Sequence, residues 1–200
     1  MITLLSTIIT KYLKQNNSNL TEKDLLKIQY SLQVILGDST KFIIIFLIFF
    51  FLNQLPLFFL SFVILNSTRT LMGGIHCKTF SSCLICSIIY FLVIMLFSTL
   101  SPKLDMYLYI TFFMISFIIT LVYAPGPNKK RPIKNKKILK ILSLISLTFW
   151  CVLFFTLRNT QICNCIFLSL LLEVIQMIII NIKGVVSNAK ITKHFFSFTD

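Results

Sequence analysis

Apolar positions along this chain come in long blocks separated by short polar breaks, and the spacing inside the blocks is helical. In the first block Ile2, Leu5, Ile9 and Tyr12 fall on one helical face. A polar break follows at Gln15-Asn16-Asn17-Ser18-Asn19. Thr21 then has the character of an N-cap, with Asp24 three residues on and Leu20 and Leu25 placed as a hydrophobic staple. Leu25, Ile28, Leu32 and Ile35 form one apolar face, and Gly37 is a natural stop. This pattern predicts an amphipathic helix, with Lys23 and Lys27 available to its polar face, lying on a membrane or against a helical bundle. The N-terminal region 1–39 is therefore expected to be a pair of amphipathic helices.

The later blocks are longer and almost wholly apolar. Several approach the ~20 residues that cross a bilayer. From Lys41 to Leu65 the run is interrupted by Asn53-Gln54-Leu55-Pro56. Split there, it predicts helices over about 40–52 and 57–71, with Pro56 suited to the first turn of the second. Further spans are expected at 83–100, 106–123, 138–157 and 162–182, with turns at Ser101–Asp105 and Arg158–Gln161 and a tail over 183–200. The expected fold is all-α: a polytopic membrane bundle of six transmembrane helices over 40–182, preceded by the amphipathic region. No internal repeat is visible.

Composition supports this class. The 200 residues are 56% apolar, include 21 Phe, and have a mean hydropathy of +0.89, more apolar surface than a soluble fold of this length needs. Net charge is +13, but Lys129, Lys130, Arg131, Lys134, Lys136, Lys137 and Lys140 concentrate it in one loop. Between apolar spans such a loop reads as cytoplasmic under the positive-inside bias rather than as a nucleic-acid patch, and it is compatible with anionic lipid or an acidic peptide. With the basic loop and the Lys-bearing N-terminus both inside, an even number of crossings must lie between residues 40 and 73. This supports splitting the run at Asn53–Pro56 and puts Gly73–Ser82 at the cytoplasmic face. No cleavable signal peptide is expected, because Met1-Ile2-Thr3-Leu4-Leu5 lacks a basic start. The six cysteines (Cys77, Cys83, Cys86, Cys151, Cys163, Cys165) sit in or beside apolar segments, not in a secreted disulfide framework.

The stretch Arg69-Thr70-Leu71-Met72-Gly73-Gly74-Ile75-His76-Cys77-Lys78-Thr79-Phe80-Ser81-Ser82-Cys83 carries the candidate chemistry. It puts an imidazole and a thiol, the minimum parts of a cysteine nucleophile with its base, between hydrophobic segments. On one straight helix His76 and Cys83 would share a face but lie ~10 Å apart, too far to hydrogen-bond. Gly73-Gly74 permits a chain reversal, and Thr79, Ser81 and Ser82 are N-cap candidates. A helix starting near Ser81 would place Cys83 in its first turn, where the positive helix end favours a thiolate. His76 could then fold back to the sulfur, with Arg69 and Lys78 adding positive potential and Gly74 with the helix-start amides offering an oxyanion hole. Two plainer readings stand beside this one. His76 can be an interfacial polar residue and Cys83 a small filler. Alternatively His76, Cys77, Cys83 and Cys86 can be metal ligands, although the usual second ligand pair is absent.

The same residues resemble the signature of the accessory gene regulator B family, R-x-x-x-G-G-x-H-A-K-[TS]-x-x-x-C, at Arg69, Gly73, Gly74, His76, Lys78, Thr79 and Cys83; Cys77 replaces the family's usual small residue. A second block, Tyr123-Ala124-Pro125-Gly126-Pro127-Asn128-Lys129-Lys130-Arg131-Pro132-Ile133, is similar to the family's A-P…N-K-P-[IL] loop. The resemblance implies an integral membrane cysteine endopeptidase of a Gram-positive plasma membrane that processes a quorum-sensing propeptide, with His76 and Cys83 as the catalytic pair and no metal or other cofactor. It also implies a substrate with an amphipathic leader and an acidic C-terminal tail, met on the cytoplasmic side. Lys129, Lys130 and Arg131 are candidates to attract that tail. Arg69, Gly74, Lys78 and Glu173 complete the list of oxyanion and substrate candidates. Partners beyond the propeptide are the bilayer and, as an open option, a second copy of the chain; nucleic acid is not expected. Glu173, near the middle of the last span with Gln176 close by, is a functional candidate by default, without a nameable role. The competing class is a non-enzymatic transporter or assembly protein that uses Glu173 and Asn181 inside the membrane.

Overall fold

The computed structural model describes residues 2–17, 20–74, 79–126 and 135–196, with side chains described as far as Ile182. Seven helices occur among these residues: α1 (Ile2–Asn16), α2 (Glu22–Phe51), α3 (Leu55–Met72), α4 (Phe80–Leu100), α5 (Met106–Tyr123), α6 (Lys136–Thr156) and α7 (Thr160–Phe196). Six of them, α2 to α7, are long and apolar enough to cross a membrane. The chain is a multi-pass helical membrane protein. Its exposed side chains fit that setting: Leu96, Phe97, Ile118, Val122, Phe149 and Val152 all point outward, as lipid-facing positions do.

Local chemistry explains most helix ends. Thr21 caps α2, accepting from the Asp24 N–H at 3.3 Å while its hydroxyl donates to the Asp24 carboxylate at 2.6 Å. The break between α2 and α3 comes at the Asn53 turn, where Asn53 adopts φ 54°, a left-handed conformation that Asn tolerates better than most residues. Pro56 sits in the first turn of α3, where its missing N–H costs nothing. One expected end is absent. Gly37 does not stop its helix; α2 runs unbroken for 30 residues and joins the amphipathic segment to the first span. A glycine inside a helix costs only about 1 kcal/mol, and Gly37 packs beside the Phe80 ring, whose carbons are 3.9 Å from where a Cβ would stand, an ordinary contact distance. The backbone of α7 also stays helical to Phe196, past the end expected at Ile182.

α7 is the central post, packed against α3, α4, α5 and α6. Ile166, Leu170 and Met177 on α7 meet Tyr109 and Phe113 on α5, Leu147, Trp150 and Phe154 on α6, and Ile64 and Met72 on α3. A second cluster joins Ile45 and Phe49 of α2 to Phe58 of α3 and Phe91 of α4, with ring centroids 5.3 Å apart for Phe49–Phe58 and 5.4 Å for Phe58–Phe91. Small hydroxyl residues (Ser61, Thr68, Ser98, Ser143) are buried and turn their hydroxyls back onto their own helices, as Thr68 does to Ile64 O at 2.7 Å and Ser98 to Ile94 O at 2.6 Å. Small residues let helices approach closely where lipid supplies no hydrophobic drive.

Candidate active site

α3 ends at Gly73 with φ 93° and ψ 151°, a backbone region open essentially to glycine alone. The chain leaves the helix there and starts again at α4 with Thr79 as N-cap, whose hydroxyl accepts from the Ser82 N–H at 3.3 Å. A break between helices therefore separates Met72 from Phe80. Cys83 ends the first turn of α4, its N–H donating to Thr79 O at 3.1 Å. Ile75, His76, Cys77 and Lys78 lie outside the described residues, as do Lys129, Lys130 and Arg131.

Gly74 is glycine for a local reason. A Cβ there would fall 2.6 Å from Cγ and 2.7 Å from Cδ of Arg69, so the arginine side chain lies across the bare backbone. The second motif block meets the first at this point. The Gly126 N–H donates to Met72 O at 2.9 Å, and a Cβ on Gly126 would stand 3.2 Å from that same oxygen. Two segments more than fifty residues apart in sequence, Gly73-Gly74 and Pro125-Gly126, thus form one wall. Asn181 of α7 supports it from behind, donating to Tyr123 O at 3.5 Å and to Met177 O at 2.9 Å.

That wall borders a cavity of about 1120 Å³, at the upper end of the size usual for ligand pockets. Its polar edge carries Cys83 and Ser87 of α4, Asn66 and Arg69 of α3, Asp38 and Lys41 of α2, and Asn135 before α6. Its interior is apolar and aromatic, with Phe42, Phe58, Phe62 and Phe91. Cys83 is a free thiol, half-buried. A polar rim with a nucleophilic atom above a phenylalanine-lined interior suits a chain with one reacting bond and apolar side chains beside it.

Of the residues expected at the site, the structure brings Arg69, Gly74 and Cys83 to one cavity and leaves Glu173 off its lining. Glu173 is completely buried in α7 and neither carboxylate oxygen has a hydrogen-bond partner among the described residues. Arg69 is the cation whose charge reaches it, and Tyr90, which donates to Ser169 O at 3.1 Å, is a further electrostatic neighbour. Several polar cavity residues escaped the sequence reading, among them Asp38 and Lys41, which sit where Gly37 suggested a helix boundary, Asn66, Asn135, and Ser87, one turn after Cys83. The available signal was a Lys inside an otherwise apolar span, three residues after an Asp. Among the described residues no cluster of three or more His, Cys, Asp or Glu is arranged to hold a metal.

Fold and cavity together define a polytopic membrane protein with a cysteine on the lining of a large cavity. The chain matches the accessory gene regulator B family over residues 6–180, and it belongs to that family. An AgrB-like protein of Clostridium beijerinckii is 59% identical over 199 residues, covering 100% of both chains. Accessory gene regulator protein B of Staphylococcus epidermidis is 33% identical over 141 residues, 66% of this chain and 69% of its own. The Staphylococcus intermedius protein of the same name is 29% identical over 133 residues, 66% of this chain and 70% of its own. No solved structure matches.

Proposed function

We propose that this protein is a membrane-embedded cysteine endopeptidase that trims a short quorum-sensing propeptide and closes its ring. The observation that carries this reading is the convergence on one cavity of Cys83, Arg69, the Gly73-Gly74 break and the Pro125-Gly126 turn, in a chain of the accessory gene regulator B family. His76, two residues along from Gly74, is the proposed base.

In the proposed reaction His76 takes the proton of the Cys83 thiol, and the sulfur attacks the carbonyl carbon of the scissile peptide bond. The C–N bond breaks, the C-terminal fragment leaves as an amine carrying the proton returned by His76, and the signal portion stays on Cys83 as a thioester. A Cys (or Ser) within the propeptide then attacks that carbonyl and displaces the Cys83 sulfur, closing a thiolactone (or lactone). Exchange of one thioester for another keeps the acyl group activated, provided water does not reach it first. The aromatic interior of the cavity suits both needs, since it takes up apolar side chains and holds little water. N–H groups at the start of α4 and at Gly74 are the proposed donors to the oxyanion. The basic segment 129–131 is the proposed attractor of an acidic tail, which places the reaction on the cytoplasmic side.

The test is direct. Purified protein in lipid nanodiscs is mixed with a propeptide bearing an amphipathic leader and an acidic tail, and the released C-terminal fragment is followed by mass spectrometry. Cys83→Ala and His76→Ala should each abolish release, a loss on the order of a thousandfold or more, with insertion unchanged. Cys86→Ala should stay active. Full processing by Cys83→Ala ends this reading.

A further inference from the structure

The cavity holds a cation that the proposed chemistry has not yet used. Lys41 stands at the head of the apolar run of α2, directly after Asp38-Ser39-Thr40, and its side chain is largely buried. Its Nζ is 2.8 Å from Oδ1 of Asp38, one turn earlier. The two partners are unequally placed, with the Lys41 side chain 18% exposed and that of Asp38 68% exposed. Water therefore screens the carboxylate more than the ammonium. The ammonium leans toward the start of α4, standing 5.6 Å from the centre of the Phe80 ring, and Phe80 is three residues before Cys83 on that helix. Gly37, one turn before Lys41, packs beside the same ring. Lys41 and Cys83 border one cavity.

We propose that Lys41, oriented by Asp38, supplies the positive potential that stabilises negative charge as it develops on the Cys83 sulfur. This rests on Cys83 being the nucleophile. A thiolate formed within a bundle loses most of its hydration, and the start of α4 alone supplies only a partial positive charge to offset that loss. A full charge beside a mostly apolar lining acts over a longer distance than in bulk water. Lys41 touches neither substrate nor reacting bond and is therefore a positioning residue. It is held on one side by Asp38 and on the other by the Phe80 ring, and the cation–ring contact keeps the ammonium near the sulfur without quenching it.

The experiment measures local potential at Cys83 apart from peptidase activity. Full-length protein carrying Cys86→Ala, in nanodiscs, is treated with an anionic and a cationic methanethiosulfonate of equal size, and modification of Cys83 is timed by peptide mass spectrometry. The anionic reagent should react faster. In K41M the anionic-to-cationic rate ratio should drop about tenfold and propeptide cleavage should fall at least as far, whereas K41R should keep both within about twofold. Should K41M fail to insert, K41Q gives the same reading. A ratio in K41M or K41Q within twofold of the parent overturns the proposal, as does K41R losing activity as fully as K41M. Cleavage by Cys83→Ala would instead bring down the nucleophile assignment itself, so the two failures are distinguishable.

Discussion

The two ends of the bundle handle buried polar groups in opposite ways. At the end where α4 turns into α5, polar side chains saturate one another. The Tyr109 hydroxyl donates to Asn164 Oδ1 at 3.0 Å and accepts from the Leu104 N–H at 3.0 Å, while Asn164 Nδ2 donates to Ser101 O at 2.9 Å. Asn159 closes the neighbouring turn by accepting from the N–H groups of Gln161 and Ile162 at 2.9 and 3.2 Å. The Gly73-Gly74 end brings together Cys83, Arg69, Asn66 and Lys41 around an open cavity of about 1120 Å³. A closed network fixes the loops that join the spans. At the other end polar side chains border an open cavity. The contrast separates residues that hold the bundle together from residues that act.

The comparison is broken most forcefully at Gly74. Gly74→Val should push Arg69 out of its place and cut propeptide cleavage by about a hundredfold, with little change in thermal unfolding; a folded, fully active variant would show that Arg69 can sit elsewhere. At the opposite end Asn164→Leu should do the reverse. It strands the Tyr109 hydroxyl and Ser101 carbonyl and should cost about 1–3 kcal/mol of stability, read as a lower unfolding midpoint in detergent, while the cleavage rate of the folded fraction holds. A rate loss larger than the stability loss would mean that the saturated end also takes part in turnover. The smallest effect is expected between the two regions. Trp150→Phe removes the indole N–H bond to Ser67 Oγ at 3.0 Å, and Ser67 still donates to Ile64 O at 2.9 Å. Its cost should be about 0.5–1.5 kcal/mol in the same unfolding assay, with cleavage unaltered.

Much of this architecture is legible in the chain because lipid imposes a simple rule. Spans must be long, apolar and helical, so the six blocks, the Asn53 turn with Pro56 after it, and the Thr21 cap all follow from local pattern. Gly37 misleads for the opposite reason. Whether a glycine ends a helix or lets a neighbour approach depends on what packs against it, and Phe80 comes more than forty residues later. The same distance hides Lys41 and Asp38 from any reading of the Arg69–Cys83 motif, since only packing of α2 on α4 brings them in. The Gly126–Met72 hydrogen bond is equally non-local. Two glycine-bearing segments in one chain hint that backbones meet, but not that they meet each other. Glu173 was visible as an acidic group in an apolar span; that it lies behind the cavity and not on it depends on the rotation of α7, which sequence does not specify.

The unbroken run of α2 has a mechanical consequence. Thirty helical residues reach about 45 Å, against a hydrocarbon thickness of about 30 Å, so the rod overshoots the oily layer. α1 is strapped to it, with Gln29 Nε2 donating to Thr7 Oγ1 at 3.1 Å. With no joint at Gly37, the rod tips as a whole. A load placed on its protruding part would be delivered as leverage to the stretch where Asp38 and Lys41 sit.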